Sequence, residues 1–175
     1  MKDLSLHILD IAENSINAGA KNIYISIVED KNKDLLTLEI KDDGRGISGD
    51  NLESVTDPFV TTRKTRRVGL GLALLRQASE SAGGKLQIKS SPGAGTIIKA
   101  TFQLSHIDRK PLGNINQTLV TLMAGNPKLN IKFAHRRNDT EFEFDEKKFF
   151  QKFPNITYPK KVRQLTDYLQ KNHNF

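Results

Sequence analysis

The 175 residues contain no cysteine and no tryptophan. Without cysteine there is neither a disulfide framework nor a thiolate metal site, which fits a cytoplasmic protein. Aromatic residues make up only 7% of the chain, so base-stacking platforms of the kind used on single-stranded nucleic acid have little to be built from. No apolar run approaches the roughly 20 residues that cross a bilayer. No segment has the form of a signal peptide, and neither repeats nor low-complexity tracts occur. What the chain does have is charge. There are 27 Lys and Arg against 20 Asp and Glu, a net +7 with a pI near 9.6. That excess admits anionic partners such as nucleotides, nucleic acid or acidic proteins. The length fits one ordinary domain with an appendage.

The stretch from Leu6 to Ala20 organises the rest. Ile8, Ile11, Ala12 and Ser15 recur at helical spacing as a small apolar stripe, and Asp10, Asn14 and Asn17 recur on another face. Asp10 and Asn14 are four apart, so their side chains stack one turn above the other. A carboxylate and an amide oxygen so placed can hold a divalent ion or polarise a water. By itself the pattern also fits an amphipathic helix with a solvated polar face. Gly19 ends the helix.

Ile23, Ile25 and Ile27 alternate within a strand over Lys21 to Glu29, and Leu36, Leu38 and Ile40 alternate in a second, giving a hairpin. A short helix is expected over Asn51 to Val55 and a polar, basic loop over Asp57 to Val68. A glycine-opened helix follows over Gly69 to Ala82. Leu86 and Ile88 begin a strand, and Ile98, Ala100, Phe102 and Leu104 alternate in another. Hairpin-joined strands with helices segregated to one face predict an α+β fold, a two-layer α/β sandwich of a mixed sheet and helices. Its expected extent is residues 1–107. Residues 108–175 predict a small α/β C-terminal appendage: a helix through Ile115, Leu119, Leu122 and Met123, a hairpin around Arg136 to Asp139, and a helix through Val162, Leu165 and Leu169 with Pro159 near its start. This unit is read as packed on the first domain or on a partner.

Three glycine-bearing stretches carry candidate chemistry. Asp42-Asp43-Gly44-Arg45-Gly46 ends a strand; its glycines let the backbone bend and a flat ligand approach closely, and Asp42 can accept from an exocyclic amine. Alone, the pattern also fits a plain turn or a calcium loop, although the remaining ligands of an EF-hand are missing. Gly69-Leu70-Gly71-Leu72 opens a helix, where bare amides and the helix dipole favour phosphate. Arg63, Lys64, Arg66 and Arg67 precede it as a candidate cationic lid; a solvated loop or a nucleic-acid patch would look alike. Neither a P-loop nor a dinucleotide fingerprint is present. Gly93-Ala94-Gly95-Thr96 turns between two strands. His7, His106, His135 and His173 show no metal spacing and read as ordinary surface or structural residues.

In this order, D-x-x-x-N on a helix, D-x-G-x-G after a strand, G-x-G-L opening a helix and G-x-G-T between strands, the motifs resemble the ATP-binding fold shared by gyrase, the large heat-shock chaperone, histidine kinases and mismatch-repair MutL, the GHKL superfamily. The resemblance covers Leu4 to about Leu104. Glu13 to Ala20, ENSINAGA, is most similar to the MutL form of the first motif; the short lid and GLGLA are more similar to histidine kinases and anti-sigma-factor kinases.

The resemblance implies ATP and Mg2+ as ligands. It implies Asn14 as the magnesium ligand bridging the phosphates, Asp10 in the general-base position and Asp42 on the adenine amine. Gly44 and Gly46 would shape the base pocket, Gly69, Gly71 and Leu72 would open the phosphate-binding helix under a lid bearing Arg63 and Lys64, and Thr96 would support the adenine-side contact. The sequence departs from histidine kinases at Arg67, where they usually have glycine, and at Asn17, where they often have lysine. No phosphoacceptor-helix pair precedes the domain and no second MutL-type domain follows, so neither a complete sensor kinase nor a complete MutL is expected. Two functions follow as expectations: ATP hydrolysis or phosphoryl transfer to a partner protein in a regulatory role, or nucleotide sensing that acts on a partner with little turnover. A nucleic-acid binder is the less expected third.

Overall fold

The computed structural model describes residues 1–48, 70–153 and 156–175. Among them the chain forms α1 (Leu4–Asn17), β1 (Asn22–Asp30), β2 (Leu35–Asp42), α2 (Leu70–Ser81), β3 (Lys85–Ser90) and β4 (Thr96–Gln103). There follow α3 (Ile115–Gly125), β5 (Asn130–Arg137), β6 (Thr140–Asp145), α4 (Glu146–Gln151) and α5 (Tyr158–Asn172). The short helix expected over Asn51 to Val55 and the basic loop lie outside the described residues.

α1 starts two residues before the periodic stretch because Asp3 caps it, accepting from Leu6 N at 3.1 Å. It ends at the Ala18 cap, and Gly19 turns the chain at φ +83°. The strands form a mixed sheet in the order β3-β4-β2-β1-β5-β6. β1 is antiparallel to β2 and parallel to β5; the remaining pairs are antiparallel. Residues 108–175 therefore extend the sheet built by the first half, with α3 and the α4 segment as the crossover and continuation.

The alternation legible in the sequence is the alternation of burial. Ile23, Ile25 and Ile27 of β1, Leu36, Leu38 and Ile40 of β2, Ile98, Ala100 and Phe102 of β4, and Ile131 and Phe133 of β5 all face the core. Ile40, Ile25 and Phe133 stand side by side across three strands. Helices pack on this one face. Ile8, Ile11 and Ala12 of α1, Leu72 and Leu75 of α2, Leu119 and Leu122 of α3, and Leu165 and Leu169 of α5 close the same core. Each large side chain so buried contributes roughly 1.5–3 kcal/mol. The architecture is the expected α+β two-layer sandwich. Among the described residues no helix is long and apolar enough to cross a membrane.

α4 has no counterpart in the sequence reading. Six residues are too few to display a period; its signal was Asp145, whose carboxylate caps it by accepting from Lys148 N at 3.1 Å.

Candidate functional site

The sheet register brings the motifs to one end. Asp42, the last residue of β2, pairs with Thr96, the first of β4, and with Ile23 near the start of β1. α1 crosses that end on the helix side. Ser15 Oγ donates to Asp42 Oδ2 at 2.7 Å, and Gly44 N donates to Asp42 Oδ1 at 2.9 Å. Both oxygens of the carboxylate are thereby oriented. Ser15 is buried and also donates to Ile11 O at 3.2 Å. A Cβ on Gly44 would stand 3.0 Å from Asp42 Oδ1 and 3.1 Å from Ala18 Cβ, so a glycine there keeps the space beside the carboxylate open.

Two of the glycine motifs interlock. Gly93 N donates to Arg45 O at 2.8 Å, and Ile47 N donates to Ser90 Oγ at 2.8 Å. Ser90 Oγ in turn reaches Gly95 O at 2.8 Å and Thr96 Oγ1 at 2.9 Å. Gly46 and Gly95 both adopt positive φ, +70° and +79°. A Cβ on Gly46 would overlap the Ser91 carbonyl, and one on Gly95 would overlap that of Asp42. D-x-G-x-G and G-x-G-T are thus two halves of one wall.

Asp10 and Asn14 lie one turn apart on α1, with Asn14 Nδ2 donating to Asp10 Oδ2 at 3.4 Å. The Asp10 carboxylate rests directly against the backbone of Gly71, in the first turn of α2; a Cβ at position 71 would collide with it. The adjacent Leu72 turns its side chain into the core. An amide oxygen beside a carboxylate is a hard-oxygen donor set, the kind that suits Mg2+ shared with phosphate oxygens. The glycines beside Asp42 leave its carboxylate uncrowded by side chains, which suits the approach of a flat base.

Asp10, Asn14, Asp42, Gly44, Gly46, Gly71, Leu72 and Thr96 therefore gather at one end of the sheet. Arg63, Lys64 and Gly69 lie outside the described residues. Sequence reasoning missed Ser15 and Ser90. Ser15 was counted in the apolar stripe of α1; a hydroxyl on a core-facing stripe was the available signal. Asp43 has a separate structural task. It accepts from Lys21 N at 2.7 Å, Asn22 N at 2.9 Å and Asn22 Nδ2 at 2.7 Å. Burial raises its carboxyl, but these donors outweigh burial and hold it below its ordinary value.

Three histidines are buried and structural. His7 is held down to about 4 by burial, with the N-terminal charge assisting. His135 Nδ1 meets His173 Nε2 at 2.7 Å, and His135 Nε2 meets Glu29 Oε1 at 2.9 Å. Arg137 Nε donates to the same Glu29 oxygen at 2.8 Å. Burial lowers both rings, His173 to about 4. Among the described residues no cluster of three metal-ligating side chains occurs.

This fold, a mixed sheet with a helix-borne D-x-x-x-N set against glycine-walled loops, defines a class of ATPase domain. Residues 2–106 match the family model described as histidine kinase-, DNA gyrase B-, and HSP90-like ATPase. The chain belongs to that family. Among relatives, it is 33% identical over 84 residues to the sensor protein kinase PilS of Pseudomonas aeruginosa, covering 48% of this chain and 16% of that one. It is 28% identical over 106 residues to the sensor histidine kinase ZraS of Escherichia coli, covering 61% of this chain and 23% of that one. The chain thus spans less than a quarter of these relatives. Among solved structures, the fold is similar to the Aquifex aeolicus MutL ATPase domain complexed with ADP, at TM-score 0.54 and 14% identity over 95% of this chain and 70% of that one. It is also similar to the N-terminal domain of a DNA repair protein, at TM-score 0.57 and 14% identity over 82% of this chain and 52% of that one.

Proposed function

We propose that the chain binds ATP with Mg2+ at this end of the sheet and hydrolyses it or passes its phosphoryl group to a partner protein, as a regulatory step. The observation that carries the reading is the Asp42 carboxylate, fixed through both oxygens by Ser15 Oγ and Gly44 N beside a space that Gly44 keeps open. A carboxylate held this way accepts from the exocyclic amine of adenine and repels the carbonyl that guanine carries there. Gly44 and Gly46 shape the base pocket, and Thr96, tied to Ser90, supports its wall. Gly71 and Leu72 offer amides to the phosphates in the first turn of α2, and the motif assigns Gly69, Arg63 and Lys64 to the same phosphates.

Asn14 supplies the protein oxygen for Mg2+, which when bound neutralises phosphate charge. Asp10 acts as general base, taking a proton from water or from a partner's hydroxyl. Incubation with γ-labelled ATP, with and without cell extract, tests this: label moving to phosphate, or to a protein, supports it. Retention of all label on ATP in the presence of the extract would leave nucleotide sensing with little turnover. That second reading is favoured by one observation, the hydrogen-bond continuity between the Asp42–Gly44 loop and α4 set out below.

A further inference from the structure

The net charge is unevenly placed. Residues 1–107 hold 14 Lys and Arg against 13 Asp and Glu, and residues 108–175 hold 13 against 7. Within the second part, Lys147, Lys148, Lys152, Lys160, Lys161 and Arg163 follow one another with no acidic residue between them. All but Lys161 are exposed, and among the described residues those five form no salt bridge. Lys161 lies over the Phe150 ring at 5.0 Å.

Beside these cations, α4, β5, β6 and α5 enclose an open cleft of about 340 Å³. The rings of Tyr24, Phe144, Phe149 and Tyr168 line it together with Lys132, Lys148 and Lys152. Asp145 also lines it, but that carboxylate is occupied by Lys132 at 3.3 Å and by the cap of α4. The rings are packed on one another, Phe149 to Tyr168 at 4.8 Å and Phe144 to Phe149 at 5.6 Å between centroids. They form an apolar socket rather than open faces on which bases could stack.

The cleft lies near the end of the sheet that carries Asp42, for its Lys132 pairs with Tyr24 and Tyr24 with Lys41. Thr96, Asp42, Ile23 and Ile131 lie in one row across β4, β2, β1 and β5, and Glu146 of α4 accepts from Ile131 N at 3.2 Å. At about 4.8 Å per strand, Ile131 is about 10 Å from Asp42. A chain of side-chain hydrogen bonds spans that distance. Asn22 Nδ2 donates to Asp43 Oδ2 at 2.7 Å, Asn130 Nδ2 to Asn22 Oδ1 at 3.1 Å, and Lys147 N to Asn130 Oδ1 at 3.2 Å. The first turn of α4 is thereby tied to Asp43, the residue after Asp42.

We infer that the basic face of α4 and α5, with its aromatic cleft, is the docking surface for an acidic protein segment that inserts one large apolar side chain. Its acidic residues meet Lys148, Lys152 and Arg163, and its apolar anchor fills the socket. Charge complementarity argues for the acid, and a cleft walled by mutually packed rings argues for an apolar side chain of a protein rather than for stacked bases. The docking stands on its own observations, whereas the meaning of its closeness to Asp42 rests on the nucleotide reading above.

The test uses the full chain and a fluorescein-labelled peptide of Glu and Asp around one central Phe, followed by anisotropy, with an oligothymidylate of equal charge as the competing probe. The expected result is saturable binding of the peptide and at least about tenfold weaker binding by K148E/K152E/R163E, as loss of complementary charge produces. Replacing the peptide's Phe by Ala should weaken binding several-fold, and amide shifts on titration should centre on residues 146–152. Equal or tighter binding of the oligonucleotide, unchanged peptide affinity in the triple variant, or shifts centred away from α4 would each overturn the proposal. ATP calorimetry on the same variant should match the parent, which also reports its folding. A parent that takes the peptide but no ATP would sink the nucleotide reading and leave the docking surface standing.

Discussion

The carboxylate of Asp10 rests against the backbone of Gly71, so the candidate base on α1 and the first turn of α2 occupy adjoining space. A Cβ at position 71 would overlap Asp10 Oδ2 and come within 2.7 Å of its Cγ. Gly71→Ala must therefore shift either the carboxylate or the helix. Overpacking of this kind costs about 1–3 kcal/mol. The expected outcome is a lower denaturation midpoint together with weaker ATP binding or lost turnover. A variant with parental stability and activity would show that this contact does not matter.

Ser15 Oγ and Gly44 N hold the two oxygens of Asp42. Asp42→Ala removes the amine acceptor, a charge-assisted bond of about 1.5–3 kcal/mol, and should weaken ATP binding about tenfold to a hundredfold. Ser15→Ala leaves the carboxylate in place but frees one oxygen, so its indirect effect should be smaller than that of Asp42→Ala, about two- to tenfold weaker binding. Calorimetry should show ATP and ADP bound more tightly than GTP. Equal affinity for ATP and GTP would remove Asp42 from the base pocket.

Glu146 gives a pH prediction. Burial raises its carboxyl from 4.5 to about 7, against the opposing bond from Ile131 N and the charge of Lys161. The folded state then binds the proton more tightly than the unfolded chain, so this group's contribution to stability falls as pH rises between about 4.5 and 7. The full cost is on the order of 3 kcal/mol. Glu146→Gln keeps an acceptor for Ile131 N without the charge. Relative to the parent it should gain stability from pH 5 to 8 and plateau near pH 8 in urea titrations. A constant difference across that range would contradict the assignment.

How much of this was legible depends on the range of the interaction concerned. The isoleucines of β1 and the leucines of β2 announced their strands because alternation is local. The ordered motifs likewise announced the family. Ser15 was not legible as a partner of Asp42, because its spacing matches the apolar stripe and its partner lies 27 residues away. The Asn130–Asn22 bond spans 108 residues and exists only because β5 pairs in parallel with β1. No local pattern encodes that pairing. The same holds for His135 and His173, scattered in the sequence and joined through their rings at 2.7 Å in the fold. α4 escaped notice because EKKFFQ is shorter than two turns.

The central claim is that the nucleotide site turns over with Asp10 as its base, and Asp10→Asn tests it most directly. The substitution is nearly isosteric, so α1 should pack as before beside Gly71. It removes the carboxylate while leaving Asn14 and Asp42 in place. With the phosphate acceptor present, the variant should bind Mg-ATP almost as the parent does and lose about 10²–10⁴-fold in hydrolysis or transfer, the usual worth of a positioned general base. A parent and variant that bind Mg-ATP equally and release or transfer phosphate at the same rate would contradict the claim.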